Sequence, residues 1–321
     1  MRLGSGKLRY EAIEPWGEFP PEWNVRDVCG VAVDSRDYVY TFSRCEHPVC
    51  VFSPGGELVA QWGEGLFERP HGIFIDRDDS VYCVGDRDHC VRKFTPDGKL
   101  LLTIAGNVGG TNGFVWNDPA TIRHTLPPFH FPTDAAVSRD GTIYVSDGYG
   151  NARVHVFSPA GRLLFSWGEP GSGPGQFRTV HDVCIDQQGR VCVADRENSR
   201  IQIFSPEGEF LHEWRDVRRP NMMAMDAEGH VYITELGPAF TGTSDGAQRR
   251  ASLARITVRD DHGQILNEWG SADPEGADLY FAPHGIAVDS RGNVYVGEVA
   301  ATYSHGMDPG RRSPLHKYAR L

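Results

Sequence analysis

No apolar run in this 321-residue chain approaches the ~18 residues that cross a bilayer. The opening stretch, MRLGSGKLRYEAIEPWGEFP, has no apolar h-region and no small-residue cleavage site, so no secretory signal is expected. Basic residues are outnumbered: 32 Lys and Arg against 43 Asp and Glu leave a formal charge of −11, with no basic stripe. Nucleic acid and anionic membrane surfaces are therefore poor partners. Cysteine is sparse and odd in number at seven, and neither Cys45/Cys50 nor Cys83/Cys90 is a CxxC pair. A thiolate zinc site has no support; the expectation is reduced, cytoplasmic thiols acting as small apolar fillers. P-loop, strand-linked GxGxxG, HExxH and GxSxG motifs are all missing, which leaves nucleotide binding and serine hydrolysis unsupported.

What the chain does have is turn residues, 37 glycines and 21 prolines, spread through an internal repeat. A short apolar run, Asp, a turn and a second apolar run recur as GVAVDSRDYVYTFS, GIFIDRDDSVYCVG, AAVSRDGTIYVSD, DVCIDQQGRVCVAD, MAMDAEGHVYITE and GIAVDSRGNVYVGE. Each is followed by two more strand-like runs, as in VHVFSPAGRLLFSWG. Four strands per unit and six units predict an all-β, six-bladed β-propeller, one domain over residues 1–321. The fourth strands close on Trp62, Ile104, Trp167, Trp214 and Trp269, one short of six. Trp16 supplies the sixth, so a strand at about 7–17 is expected to complete the last blade and remove two sheet edges.

The turns joining first to second and third to fourth strands are all short and belong to one face. Every long insertion, 107–130, 169–180, 237–250 and 300–313, goes to the other. Long loops on a rigid scaffold mark the functional face. On that face, the position five residues before the recurring turn residue reads Cys29, His71, Thr133, His181, Asn221 and His284. Histidine in blades two, four and six predicts three imidazoles converging on a central channel, a three-nitrogen site with an open fourth position that suits Zn²⁺ or another divalent transition metal. The alternative is a Pro-His-Gly turn residue duplicated with its repeat. Arg44 and Arg196 lie at equivalent second-strand tips, with Tyr149 one position further along. Two cations and a phenol beside a metal suit a small-molecule substrate with a carboxylate or other oxygen-rich group, the phenol acting as base. The bland alternative pairs the arginines with nearby acids such as Asp147 and Asp195. His130, Asp86 and Glu298 are weaker candidates, and Met222, Met223 and Met225 read as packing.

These units resemble NHL-repeat propellers, and within them the peptidyl-α-hydroxyglycine α-amidating lyases. The similarity covers roughly residues 25–300 and is strongest in FPTDAAVSRDGTIYVSDGYGNARVHVFSPAGRLLFSWGE and VADRENSRIQIF. The resemblance implies zinc on His71, His181 and His284, a catalytic Tyr149 in the SDGY segment, and active-site Arg44 and Arg196. Two departures matter. Gly150 stands where the family has a disulfide cysteine, and Gly285 where it has a calcium-binding aspartate, which argues against a structural calcium. The expected activity is zinc-dependent carbon–nitrogen lysis of an N-(hydroxyalkyl) amide, with specificity set by the insertions 107–130 and 237–250. A metal-dependent hydrolase or lactonase on the same histidines, or a non-catalytic interaction module, are the alternatives.

Overall fold

One carboxylate writes the first turn of each repeat. Asp34 Oδ1 accepts from the backbone N–H groups of Arg36 and Tyr38 at 2.9 and 2.8 Å. Asp76, Asp186, Asp226 and Asp289 do the same for the residues two and four positions on. In the third repeat Ser138 replaces the aspartate, and Asp140 accepts from Thr142 N–H at 3.1 Å instead. The second hairpin uses a hydroxyl or a carboxylate: Ser53, Thr95, Ser158, Ser205 and Asp260 each accept from the backbone four residues later. Side chains that bond the backbone locally fix a tight turn, which is why the repeat is legible as D/S plus a polar tip.

The computed structural model describes residues 2–5, 8–106, 110–116, 118–237, 254–270, 280, 282–303 and 313–321. The insertion 237–250 lies outside these apart from Gly237, as do 304–312 of the insertion 300–313 and 107–109 and Asn117 of the insertion 107–130. Six antiparallel sheets of four or five strands make the six blades of a β-propeller. The chain falls into two compact units, Gly65–Pro220 and the pair of segments Met1–Glu64 and Asn221–Leu321.

Gly65–Pro220 carries blades two, three and four, whose first strands are Pro70–Ile75, Pro132–Val137 and Val180–Ile185. Its cores are filled by β-branched and aromatic residues of the middle strands, such as Val154, Val156, Val191, Val193 and Phe204 and Tyr82, Val84, Ile143 and Val145. A short parallel pair, Glu169–Pro170 with Gln176–Phe177, orders the insertion 169–180.

The other unit holds blades one, five and six, whose first strands are Val28–Val33, Pro220–Met225 and Pro283–Val288. In blade six Leu8–Ile13 pairs antiparallel with Leu315–Arg320, as the missing sixth closing residue implied. A further strand, Arg2–Ser5, adds outside it and was not foreseen. Trp16 packs at 5.9 Å from Phe52 and 4.8 Å from Tyr295, joining blade one to blade six. None of the seven cysteines is in a disulfide. No helix among the described residues is long and apolar enough to cross a membrane.

Candidate metal and active site

In five blades the first strand breaks register at the same place. The shift falls between Val28 and Gly30, Pro70 and Gly72, Pro132 and Asp134, Val180 and Asp182, and Pro283 and Ile286. Cys29, His71, Thr133 and His181 are the skipped residues, and His284 is skipped with Gly285. A β-bulge re-aims the side chain it releases from the ladder. The histidine register seen in the sequence is therefore a bulge register.

At His71 and His284 the ring orientation is fixed as well. His71 Nδ1 donates to the Thr133 carbonyl at 2.7 Å, and His284 Nδ1 donates to the Cys29 carbonyl at 2.6 Å. A carbonyl only accepts, so both rings carry their proton on Nδ1 and present Nε2 as a lone pair, the tautomer that a metal ligand requires. His71, His181 and His284 are all buried. They are the group that could hold a metal ion among the described residues.

Within Gly65–Pro220 the Tyr149 hydroxyl lies 3.0 Å from His71 Nε2 and 3.0 Å from His181 Nε2. One phenol has one hydrogen to give. Donated to one imidazole, it leaves the second facing an oxygen lone pair unless that ring brings its own proton. A donor set of convergent, buried lone pairs with too few protons fits a bound cation.

Tyr149 stands on a backbone tied down at Gly150, whose N–H donates to His130 O at 3.0 Å. The Arg196 guanidinium lies 5.3 Å from the Tyr149 ring centroid and that of Arg69 lies 6.0 Å away, within cation–π range. Arg196 opens a 3-10 turn, Arg196–Asn198, and its N–H donates to Thr179 O at 3.0 Å. Arg196 Nε donates to Glu197 Oε1 at 2.9 Å, and Arg219 grips the same carboxylate through Nε and Nη2 at 3.0 and 2.8 Å. Burial pushes the Glu197 carboxyl up, but the charges of Arg196 and Arg219 outweigh it and hold it at about 2. Asp195, beneath the turn, accepts from Arg178 N–H, Asn198 and Arg200, yet burial outweighs these bonds and raises it to about 6.

Arg44 lies in the other unit, where its N–H donates to Asp27 O and its Nη1 to Thr302 Oγ1 at 2.7 Å. Asp27 Oδ2 is 3.8 Å away. The arginines thus pair with Asp27 and Glu197, while Asp147 bonds His155 and Asp195 bonds Arg200. Asp86 pairs with Arg69, Glu298 with His316, and His130 Nδ1 bonds Gly150 O. Met222 and Met223 are buried packing.

Arg69, Trp116 and the acid pair Asp134/Asp182 escaped the sequence reading. Arg69 sits two residues before His71, the place that Asp27 and Arg219 hold before Cys29 and Asn221. Burial raises the Asp134 carboxyl well above its ordinary range, and neighbouring Asp182 adds to it. Gly285 has no room for an aspartate side chain: a Cβ there would lie 2.8 Å from Val31 N and 2.9 Å from the Gly30 backbone.

Fold and register together define an NHL-repeat propeller in which buried histidines recur at one position of the repeat. The NHL repeat model matches residues 129–157 and 177–204. The chain is 31% identical over 285 residues to NHL repeat-containing protein 3 of Mus musculus, covering 84% of this chain and 76% of that protein. It belongs to that NHL-repeat family. It is also 32% identical over 193 residues to peptidyl-glycine alpha-amidating monooxygenase B of Xenopus laevis, covering 57% of this chain. The match spans about a fifth of that relative's length, at 21%. Peptidyl-alpha-hydroxyglycine alpha-amidating lyase 2 of Drosophila melanogaster is 25% identical over 263 residues, covering 77% of this chain and 56% of that protein. Among solved structures, a gluconolactonase from Xanthomonas campestris superposes with a TM-score of 0.62 at 14% identity, covering 100% of this chain and 91% of that one. At that identity the likeness shows the fold alone.

Proposed function

We infer that the protein is a metal-dependent lyase of the amidating-lyase type, acting on a small N-acyl-α-hydroxyglycine or related N-(hydroxyalkyl) amide. The observation that carries this reading is the Tyr149 hydroxyl set 3.0 Å from the Nε2 atoms of two buried histidines. A relative bearing the lyase name over most of this chain supports it.

His71, His181 and His284 would hold the ion, with zinc the best fit to an all-imidazole set. When bound, it supplies Lewis-acid charge at the substrate hydroxyl. The chain's own groups account for the rest. Tyr149 takes the hydroxyl proton; the electron pair left on oxygen forms the carbonyl as the C–N bond breaks. Tyr149 returns that proton to the departing amide nitrogen, so that one amide and one carbonyl product form with no water consumed. Arg196, facing the Tyr149 ring, binds a substrate carboxylate, and Arg44 stabilises developing oxyanion charge.

The test is turnover of N-acyl-α-hydroxyglycines in ¹⁸O-water, with metal content measured in parallel. Amide and glyoxylate without ¹⁸O in the amide, at about one metal per chain, is the expected result. Label entering an acyl carboxylate would mean hydrolysis on the same centre. A metal-free protein with no turnover would leave a binding module.

A further inference from the structure

The insertion between blades two and three brings an aromatic wall to Tyr149. The Trp116 ring lies 5.4 Å from the Tyr149 ring at 31°. Phe131 and Phe114 meet it edge-on at 5.3 and 5.9 Å. Two guanidiniums also face Trp116, Arg69 at 5.3 Å and Arg87 at 5.8 Å. Despite these neighbours Trp116 remains 37% exposed. A large indole left open between an aromatic wall and two guanidiniums is surface available to a ligand.

The two cations differ. Arg69 is neutralised by Asp86. Arg87 is exposed and has no ionic partner among the described residues. A flat group laid on Trp116 therefore ends beside an uncompensated positive charge.

Accepting the lyase reading, we propose that Trp116 and Arg87 form the acyl subsite, and that the substrate is an N-aroyl compound with a second carboxylate on its ring. The amide carbonyl then connects an aryl group on Trp116 to the carbon that reacts at Tyr149. Trp116 supplies stacking, and Arg87 binds the distal carboxylate at the rim, where the pairing is exposed and salt-sensitive.

Titration calorimetry with unreactive glycine analogues tests this without turnover. The probes are acetylglycine, benzoylglycine and 4-carboxybenzoylglycine, against wild type, Trp116→Ala, Trp116→Phe and Arg87→Ala. Benzoylglycine is expected to bind about tenfold more tightly than acetylglycine, and the ring carboxylate to add about fivefold more at low salt. Trp116→Ala removes the first preference and Trp116→Phe keeps most of it, which separates loss of stacking from loss of fold. Arg87→Ala, at an exposed side chain, removes only the second. Equal binding of all three ligands to wild type, no binding at all, or preferences that survive in both alanine variants would overturn the subsite. If the preferences appear but N-benzoyl-α-hydroxyglycine is not cleaved, the lyase reading fails and the subsite stands.

Discussion

At Tyr149 a single hydroxyl hydrogen faces two imidazole nitrogens, so the residue's chemistry is separable from its packing. Tyr149→Phe keeps the ring beside Trp116 and beneath Arg196 but removes the oxygen. Turnover is expected to fall about 10²–10⁴-fold, the range of a lost general base, with metal content unchanged. Turnover at the wild-type rate would remove the base role. His181→Ala has the complementary signature: elemental analysis should show the bound metal lost while far-UV circular dichroism still reports the blades. Glu197 gives a pH test. Its carboxyl titrates at about 2 in the folded chain against 4.5 ordinarily, so its ionised form favours folding. That contribution, about 3 kcal/mol, is complete above pH 4.5 and disappears as pH falls toward 2. Urea unfolding of Glu197→Gln should show lower stability at pH 7 and a difference from wild type that closes on acidification. A gap that is constant with pH would mean Glu197 acts by packing.

Elements, more than isolated residues, explain what the sequence could reveal. The six-bladed repeat was legible because each turn depends on one bonding side chain at a fixed place, Asp34 and Asp76 among them. The histidine register was legible for the same reason, since each bulge falls at one offset from that turn. Trp116 was not, because the insertion that carries it has no period and its meaning arises only from contact with Tyr149 and Arg69. Arg2–Ser5 was missed because four residues without alternation give no strand signal. Blade-to-blade packing leaves a testable trace. Gly208 adopts φ +86°, and a Cβ there would stand 2.8 Å from Trp167 of the preceding blade. Gly189 has φ +81° but open space around it. Gly189→Ala should therefore cost about 1 kcal/mol of backbone strain, and Gly208→Ala about 2–4 kcal/mol once the clash with Trp167 is added. Thermal unfolding of the two variants compares them directly; equal losses would show that the indole yields.

For the whole molecule, the chain's two ends meet in one blade, and its stability depends on that closure. Leu8–Ile13 hydrogen-bonds along Leu315–Arg320, Tyr10 is fully buried, and its hydroxyl lies 2.9 Å from that of Tyr232 in blade five. Leu3 and Leu8 are buried in the same core. Removing residues 1–13 strips these three side chains, each worth about 1.5–3 kcal/mol of burial, from a fold whose net stability is about 5–15 kcal/mol. It also leaves the backbone groups of Leu315–Arg320 unpaired along an exposed edge, a template for association with other chains. The truncated protein should therefore aggregate or melt at much lower temperature, as followed by light scattering and circular dichroism. A synthetic peptide of residues 2–13 should restore part of the loss in proportion to its concentration, since it binds the folded form. A monomeric truncated chain with the wild-type melting temperature would mean that three strands suffice for the last blade, and that the N-terminal strands add nothing to its closure.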